Sequence, residues 1–498
     1  MNILLWSCLL LVIATELLDA LAAPHRARST SAFLLRALPP LAVLGLIDAL
    51  CGRPFIGLGV TLALEIVLVA GSTIKLRLLD EPLIFSDLVV LVSFLREPKF
   101  YLHALSPGIR TLLLIAALAV PPLLIWSVLH GNLAVRVSGL SLCGLSLVLL
   151  RVQLKSTPLM RRPALRADFR RHGLIATLVT YRHRWKNAPP LPPPPPCMAG
   201  QPLPTLLVVQ CESFCDPEVL FPGAPPLPGL ADARRKAMQW GNLRVSGFGA
   251  YTMRSEYGVL FGLDEEQLGF RQYDPFLSGE ETRLHALPNR LAAQYGERIF
   301  LHPHDLRFYG RDRLLPRWGF TRLIGGEAFE TAERAGPYVA DRSFGEALSR
   351  LVESAVPPRL IHGVSMENHG PWARGRLGLE TPRAAYEAHL RNSDRMLATL
   401  MNDLERMAAD VLLVFFGDHR PSLPGDLDPE AGRETPYLMI RYVHGRPTDI
   451  APPEHKITER TTTDITPAGL NAAILAALGI RQGETAAMPE QAPIRRTP

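Results

Sequence analysis

The sequence predicts a two-part protein: an α-helical membrane domain of five spans, followed by an α/β catalytic domain with a mostly parallel central sheet. Three observations point there. Residues 1 to 151 are dominated by long apolar stretches, whereas residues 200 to 480 carry most of the charge and most of the histidine. In that second part, apolar runs of strand length alternate with helical stretches, the pattern of parallel strands joined by crossover helices. One such run, Leu412-Leu413-Val414-Phe415-Phe416-Gly417, stops at Asp418-His419. An acid and an imidazole are thereby delivered at the edge where open α/β sheets place their sites. At 498 residues the chain is also too long for a single core.

Five stretches, at about residues 3–23, 32–50, 56–74, 111–129 and 133–151, are long and apolar enough to cross a bilayer. The first could be a cleaved signal peptide, since Leu21-Ala22-Ala23 resembles a cleavage site; its lack of a basic start and the four spans behind it favour an anchor. Between the third and fourth spans, Lys75 to Arg110 contains Glu81-Pro82-Leu83-Ile84-Phe85-Ser86-Asp87-Leu88. Pro82 breaks any continuous helix there, so the segment is expected at the interface or re-entering. Arg26, Arg28, Lys75, Arg77, Arg96, Lys99 and Arg110 lie in the first and third loops, and Arg151, Lys155, Arg161, Arg162 and Arg166 follow the fifth span. Taken literally, the positive-inside rule puts these loops and the large domain in the cytoplasm.

Residues 152 to 186 are basic, with Phe169, Leu174, Leu178 and Tyr181 at helix-like intervals, which reads as an amphipathic helix on the membrane surface. Pro189-Pro190-Leu191-Pro192-Pro193-Pro194-Pro195-Pro196 is a stiff polyproline spacer and the clearest boundary. The expected organisation is a transmembrane domain over 1–151, a helix and linker over 152–199, a catalytic domain over 200–482 and a disordered tail over 483–498. Within the catalytic part, Thr205 to Gln210, Leu360 to Val364 and Val411 to Phe416 read as core strands, and Ala384 to Met407 as a helix. The net charge of +6 and pI near 9.1 are membrane-proximal and anion-directed. No nucleic-acid partner is expected, because the arginines are scattered and no basic stripe interleaves with aromatics. Of the six cysteines, Cys8, Cys51 and Cys143 lie in or beside spans as apolar filler. Cys211 and Cys215 could be a bridge or two unrelated buried thiols.

Four places share one property: each lies just past a strand-like or glycine-rich segment, where side chains converge on a common edge. They are Glu212 after the first core strand, Thr252 after Gly247-Phe248-Gly249-Ala250-Tyr251, His369 in Asn368-His369-Gly370-Pro371-Trp372, and the pair Asp418 and His419. Glu, Asp and His form a mixed oxygen and nitrogen shell for a divalent cation, beside which a threonine hydroxyl becomes a usable nucleophile. Each has an ordinary alternative. Glu212 could cap a helix, Thr252 could sit in a surface turn, Arg311 could yield to its neighbour Arg313, and His369 before Gly-Pro could be a turn residue. His362, inside an apolar strand, reads as a satisfied core residue.

Residues 203 to 425 resemble the catalytic domain of the lipoteichoic acid synthase and phosphoglycerol transferase family, within the sulfatase and alkaline phosphatase superfamily. The matching pieces are Glu212-Ser213-Phe214, Thr252-Met253-Arg254-Ser255-Glu256-Tyr257, Phe308-Tyr309-Gly310-Arg311, Asn368-His369-Gly370-Pro371-Trp372 and Gly417-Asp418-His419, in the family's order. The resemblance implies a sulfatase-like α/β domain in which Glu212, Thr252, Asp418 and His419 hold one Mn2+ or Mg2+ ion. It makes Thr252 the nucleophile that becomes phosphoglycerylated. Arg311 and His369 would bind the phosphate or glycerol, with Tyr309 where the family often has Trp, and His302 lies near a further family position. The implied reaction moves phosphoglycerol from phosphatidylglycerol, the lipid donor, to a cell-envelope glycan. It implies a multi-pass protein of the cytoplasmic membrane with its catalytic domain outside, against the loop-charge count; long domains translocate largely regardless of charge. The rivals are a phosphoethanolamine transferase, a non-catalytic glycan-binding membrane protein, and a sulfatase, whose Cys-x-Pro-Ser-Arg type segment neither Cys211 nor Cys215 provides.

Overall fold

The structure, a computed structural model, describes residues 2–22, 29–87, 111, 118, 122, 125–199, 202–354, 358–428, 432–448 and 462–482. The chain divides into two compact units, Met1–Pro189 and Pro190–Pro498.

The first unit contains α1 (Asn2–Ala22), α2 (Phe33–Cys51), α3 (Pro54–Leu79) and α4 (Leu133–Ser156). These are four helices long and apolar enough to cross a membrane among the described residues. The expected span at 111–129 lies mostly outside those residues, as does the expected tail at 483–498. Outward-facing Trp6, Leu17, Leu140 and Val148 are exposed, as befits surfaces that meet lipid rather than water. Small residues let α2 and α4 approach closely: a Cβ on Gly45 would stand 2.6 Å from the Cys143 nitrogen. Asn132 caps α4 by accepting from the Ala134 and Val135 amides at 2.8 and 3.3 Å.

Where one amphipathic helix is expected across 152–186, the chain forms α5 (Leu165–His172) and α6 (Leu174–Lys186), turning at Gly173 with φ 93°. The turn is tied down. Leu174 N donates to Asp19 Oδ1 at 2.6 Å, and Arg36, forked by Glu16 at 2.8 and 2.9 Å, donates to the His172 carbonyl at 3.1 Å. Leu174 to Leu178 is buried along its length, and Leu174 and Leu178 pack with Ala22 and Phe169. The segment after α3 folds back as Pro82 demands. Asp87 pairs with Lys75 at 2.6 Å, and Leu83 N donates to Ser72 Oγ at 3.2 Å.

The second unit is built on an eight-stranded sheet: β1 (Thr205–Cys211), β2 (Gln239–Arg244), β3 (Arg298–Leu301), β4 (Arg322–Ile324), β5 (Leu360–Val364), β6 (Val411–Gly417), β7 (Glu434–Val443) and β8 (Arg446–Thr448). Its order is β8-β7-β6-β1-β5-β3-β4, with β2 also pairing β7. The five strands from β6 to β4 are parallel, and β7 runs antiparallel to β6. Every residue of β1, β5 and β6 is buried, so these strands read as unbroken apolar runs and are legible as such. Covering helices include α7 (Pro228–Lys236), α8 (Thr252–Phe261), α9 (Arg311–Arg317), α10 (Asp341–Glu353), α11 (Pro382–Arg406) and α12 (Pro467–Ala477). Thr381 caps α11, accepting from Ala384 N at 3.1 Å, with Pro382 in the first turn. Asp394 on α11 accepts from Gly229 N and Leu230 N at 2.8 and 2.7 Å, locking the start of α7.

The polyproline stretch is not a free spacer. His285 Nε2 hydrogen-bonds the Pro192 carbonyl at 2.9 Å, and Cys197–Ala199 pairs antiparallel with Ile480–Gln482. His362 is a core residue, fully buried on β5 and stacked on Phe300 at 5.6 Å. It is not satisfied, for neither ring nitrogen has a partner among the described residues. Burial pushes it down to about 3, so it stays a neutral filler.

Candidate active site

Parallel pairing of β1 with β6 sets Cys211 opposite Gly417, and the next residues, Glu212, Asp418 and His419, emerge together at the carboxyl edge of the sheet. Gly417 has no room for a side chain, since a Cβ there would lie 1.9 Å from the Phe214 carbonyl oxygen. Thr252 is the first residue of α8. Two bonds lash that helix to the strand end: Gly249 N to the Arg420 carbonyl at 2.8 Å, and Ser255 Oγ to the Asp418 carbonyl at 2.6 Å.

Thr252 Oγ1 lies 3.5 Å from Glu212 Oε2 and 3.4 Å from His419 Nε2. His419 Nε2 is 3.3 Å from Glu212 Oε1 and 3.6 Å from Asp418 Oδ2. Donors at these spacings sit about 2 Å from one common centre when arranged tetrahedrally, which is the reach of a divalent cation. Two details fit an ion. Asp418 Oδ1 accepts from Ser213 N and His419 N at 2.8 and 2.9 Å, but its buried Oδ2 makes no hydrogen bond among the described residues. His419 Nδ1 lies 3.0 Å from the Arg420 carbonyl, an acceptor only, so Nδ1 carries the proton and Nε2 presents its lone pair to the centre. Glu212, Asp418 and His419 are the three-residue group suited to a metal among the described residues.

The electrostatics carry the same mark. Burial works to raise the Glu212 carboxyl, but the hydrogen bond from His419 and the charges of His369 and His419 outweigh it and hold the group at about 2. Asp418 is pushed up to about 6, by burial first and then by the Glu212 charge. His419 rises to about 9: burial opposes the proton, but Asp418 and Glu212 retain it. A cation must displace that proton.

Backbone strain clusters here as well. Ser213 after Glu212, Tyr251 before Thr252, and Tyr309 near Arg311 have φ of 50°, 78° and 59°. Non-glycine residues in this region cost about 1–3 kcal/mol each and concentrate at functional sites.

The other expected residues form a second tier. His369 is half-buried. Its Nδ1 lies 2.7 Å from the Gly370 carbonyl and 3.3 Å from the Tyr338 hydroxyl, so Nδ1 is the donor and Nε2 is left to meet a substrate. Arg376 clamps this loop by donating to the carbonyls of Glu367, His369 and Pro371 at 2.8, 2.7 and 3.1 Å. His302 directly follows β3 and donates from Nδ1 to the Val364 carbonyl at 2.9 Å. Burial, then the nearby Arg311 charge, drives its pKa well down and keeps it neutral. The Glu212 charge bears on His302, Tyr309 and Tyr338, in each case behind the larger effect of burial. Burial raises the Tyr309 phenol.

Arg311 is brought near but not free. It is buried, and Glu256 on α8 accepts from its Nε at 3.4 Å and more closely from its Nη2. Glu256 stands in the Thr252 to Tyr257 match but carries no role from the sequence, and Tyr338 and Arg376 go unmarked there. For Glu256 a signal existed: it stands four residues after Thr252 on one helix face. Tyr338 and Arg376 carry no local signal. Cys211 and Cys215 are both buried and unbridged.

The family model for sulfatases matches residues 204–480. The chain belongs to the sulfatase family. Sulfatases and alkaline phosphatases form one superfamily of metal-site enzymes, and the Glu212, Asp418 and His419 cluster lies within the matched region. The sulfatase-family chain is 32% identical over 257 residues to the capsular polysaccharide biosynthesis protein RkpI of Rhizobium meliloti strain 1021, covering 51% of this chain and 48% of that one. It thus spans about half the length of that relative. Among solved structures, the integral membrane lipooligosaccharide phosphoethanolamine transferase EptA of Neisseria meningitidis superposes with a TM-score of 0.55 at 12% identity, covering 95% of both chains. Phosphoglycerol transferase GacH of Streptococcus pyogenes, in complex with sn-glycerol-1-phosphate, gives 0.45 at 17% identity, over 56% of this chain and 76% of that one. These are likenesses of fold.

Proposed function

We propose that this sulfatase-family protein is a membrane-anchored, metal-dependent transferase that moves phosphoglycerol from phosphatidylglycerol to a cell-envelope glycan through a phospho-threonine intermediate. The observation that carries this reading is the Thr252 hydroxyl, 3.4 to 3.5 Å from His419 and Glu212 at the first turn of a ten-residue helix. A bound divalent cation, manganese or magnesium, supplies positive charge that acidifies the hydroxyl and offsets charge on the phosphoryl oxygens. Glu212, Asp418, His419 and Thr252 would hold it.

Threonine itself argues for phosphoryl rather than sulfuryl chemistry. A methyl on Cβ bars oxidation to the aldehyde that sulfatases need, but leaves the oxygen able to attack phosphorus. In the first step Thr252 Oγ1 bonds to phosphorus as the bond to the diacylglycerol oxygen breaks. The hydroxyl proton is given up to solvent before attack and returns from solvent when Thr252 is released, and His369 Nε2 protonates the departing oxygen. In the second step the acceptor hydroxyl gives its proton to His369, bonds to phosphorus, and releases Thr252, which is reprotonated. The amides opening α8 point their partial positive charge toward the phosphoryl oxygens.

The choice of head group rests on donors and acceptors. An arginine only donates and an ammonium only donates, so Arg311 suits the hydroxyl oxygens of glycerol and offers ethanolamine no acceptor. An ammonium would want a carboxylate, yet Asp305 is taken by Arg307 at 2.6 to 3.1 Å, and Glu256 is taken by Arg311. The likeness to RkpI, a capsular polysaccharide biosynthesis protein, supports a glycan acceptor. The apolar helices of the first unit support an anchor beside a lipid donor, in the cytoplasmic membrane with the catalytic unit outside. The test is incubation of the full chain in liposomes with phosphatidylglycerol or phosphatidylethanolamine and manganese. A glycerophosphate adduct on Thr252 with released diacylglycerol is expected; a phosphoethanolamine adduct overturns the donor, and no adduct overturns the nucleophile.

A further inference from the structure

Thr252 and Glu256 are one helical turn apart on α8 and face the same way. Glu256 is fully buried and Arg311 is 1% exposed. The two are joined as a fork in which Glu256 Oε1 and Oε2 accept from Arg311 Nε and Nη2, leaving Nη1 with no hydrogen bond among the described residues. The guanidinium also lies 5.3 Å from the Tyr309 ring and 5.7 Å from the Phe300 ring, so aromatic rings wall it in.

A buried ion pair of this kind is a poor device for stability. Removing two charges from water roughly cancels their attraction, and apolar replacements of equal volume are often neutral or better. Geometry is the better reason to keep it. The fork fixes the plane of the guanidinium and cancels its net charge, so Nη1 acts as one aimed donor instead of a diffuse cation.

We propose that Glu256 is a positioning residue for the substrate: it holds Arg311 so that Nη1 meets an oxygen of the glycerophosphate head group in register with Thr252, one turn away on the same helix. Nucleophile and head-group donor are thus referred to one rigid element, and a shift of α8 moves both together. The inference rests on the phosphoglycerol-transfer reading.

The experiment measures transfer by the full chain in liposomes with manganese, for wild type, Glu256→Gln, Arg311→Lys and the double variant. Wild type is assayed first with both lipids. If it uses phosphatidylethanolamine, the donor reading fails, and the variants are then compared on that lipid. Glu256→Gln is expected to raise KM roughly ten- to hundredfold, the range for one charge-assisted hydrogen bond, while kcat changes less. Arg311→Lys keeps a charge for Glu256 but cannot fork it, and should raise KM similarly. The double variant should be no worse than either single one, because both break the same fork. A folded Glu256→Gln with wild-type KM overturns the proposal, as does full additivity in the double variant. Should Glu256→Gln not fold, a wild-type KM in Arg311→Lys overturns it equally.

Discussion

Metal binding at the Glu212, Asp418 and His419 cluster should release protons, and the number depends on pH in a way the electrostatics dictate. Without an ion His419 holds its proton up to about pH 9, because Asp418 and Glu212 outweigh the burial that opposes it. Asp418 is protonated below about 6, while Glu212 stays ionised down to about 2. A cation needs His419 Nε2 as a lone pair and both carboxylates charged. Between about pH 6 and about pH 9 one proton therefore leaves per ion bound, and affinity rises about tenfold per pH unit. Below about 6 two protons leave and the slope doubles; above about 9 the slope vanishes. From about pH 6.5 to about pH 8.5 the affinity for manganese should improve roughly hundredfold, or about 2.7 kcal/mol. Isothermal titration calorimetry of manganese into the metal-free protein, in buffers of different ionisation enthalpy, counts the protons directly. A flat affinity across that window, with no proton released, would refute the placing of His419 in the ligand shell.

Thr252→Ala should lower transfer roughly ten-thousandfold or more while leaving melting temperature close to wild type and the site still loaded at saturating manganese, since one neutral hydroxyl contributes little to folding and less to the cation than the charged ligands; wild-type turnover would remove it as nucleophile. Asp418→Asn and His419→Ala should each weaken manganese binding by about a hundredfold or more and abolish transfer together with it. Undiminished metal content by elemental analysis in both variants would dissolve the site. For topology, an alkaline phosphatase reporter fused after Pro498 should be active, and a reporter that fluoresces only in the cytoplasm should stay dark. The reverse pattern would place the catalytic unit inside and separate it from envelope glycans.

What was legible in the sequence was what is local. A buried parallel strand is an unbroken apolar run, and the residues just past it fall at the sheet edge whatever the rest of the chain does. That is why Glu212, Asp418 and His419 could be picked out and why the structure sets their ligand atoms within 4.8 Å of one another. Spans were legible for a similar reason, since length and apolarity are summed along one helix. Residues 152–186 misled because their spacing fits one long amphipathic helix. Gly173, in the left-handed region, turns the chain, and the apolar face then packs on Ala22 of α1 and on Leu68, Val69 and Leu76 of α3.

The partners of Arg311 show where such reading stops. Arg311 stands in a motif, but whether its charge is free depends on Glu256, 55 residues earlier and on a different element. No periodicity links them; only the return of the chain from α8 through β3 to α9 does. The same holds for the His369 loop, which is held by Arg376 from one side and touched by the Tyr338 hydroxyl from the other. A motif therefore names a residue type at a position, while its chemistry is decided by what the fold sets against it. An arginine met by water would act as a long-range cation. The same arginine forked by a buried carboxylate is a short-range directed donor, and the proposed preference for a hydroxylated head group rests on that donor meeting an acceptor oxygen that an ammonium lacks.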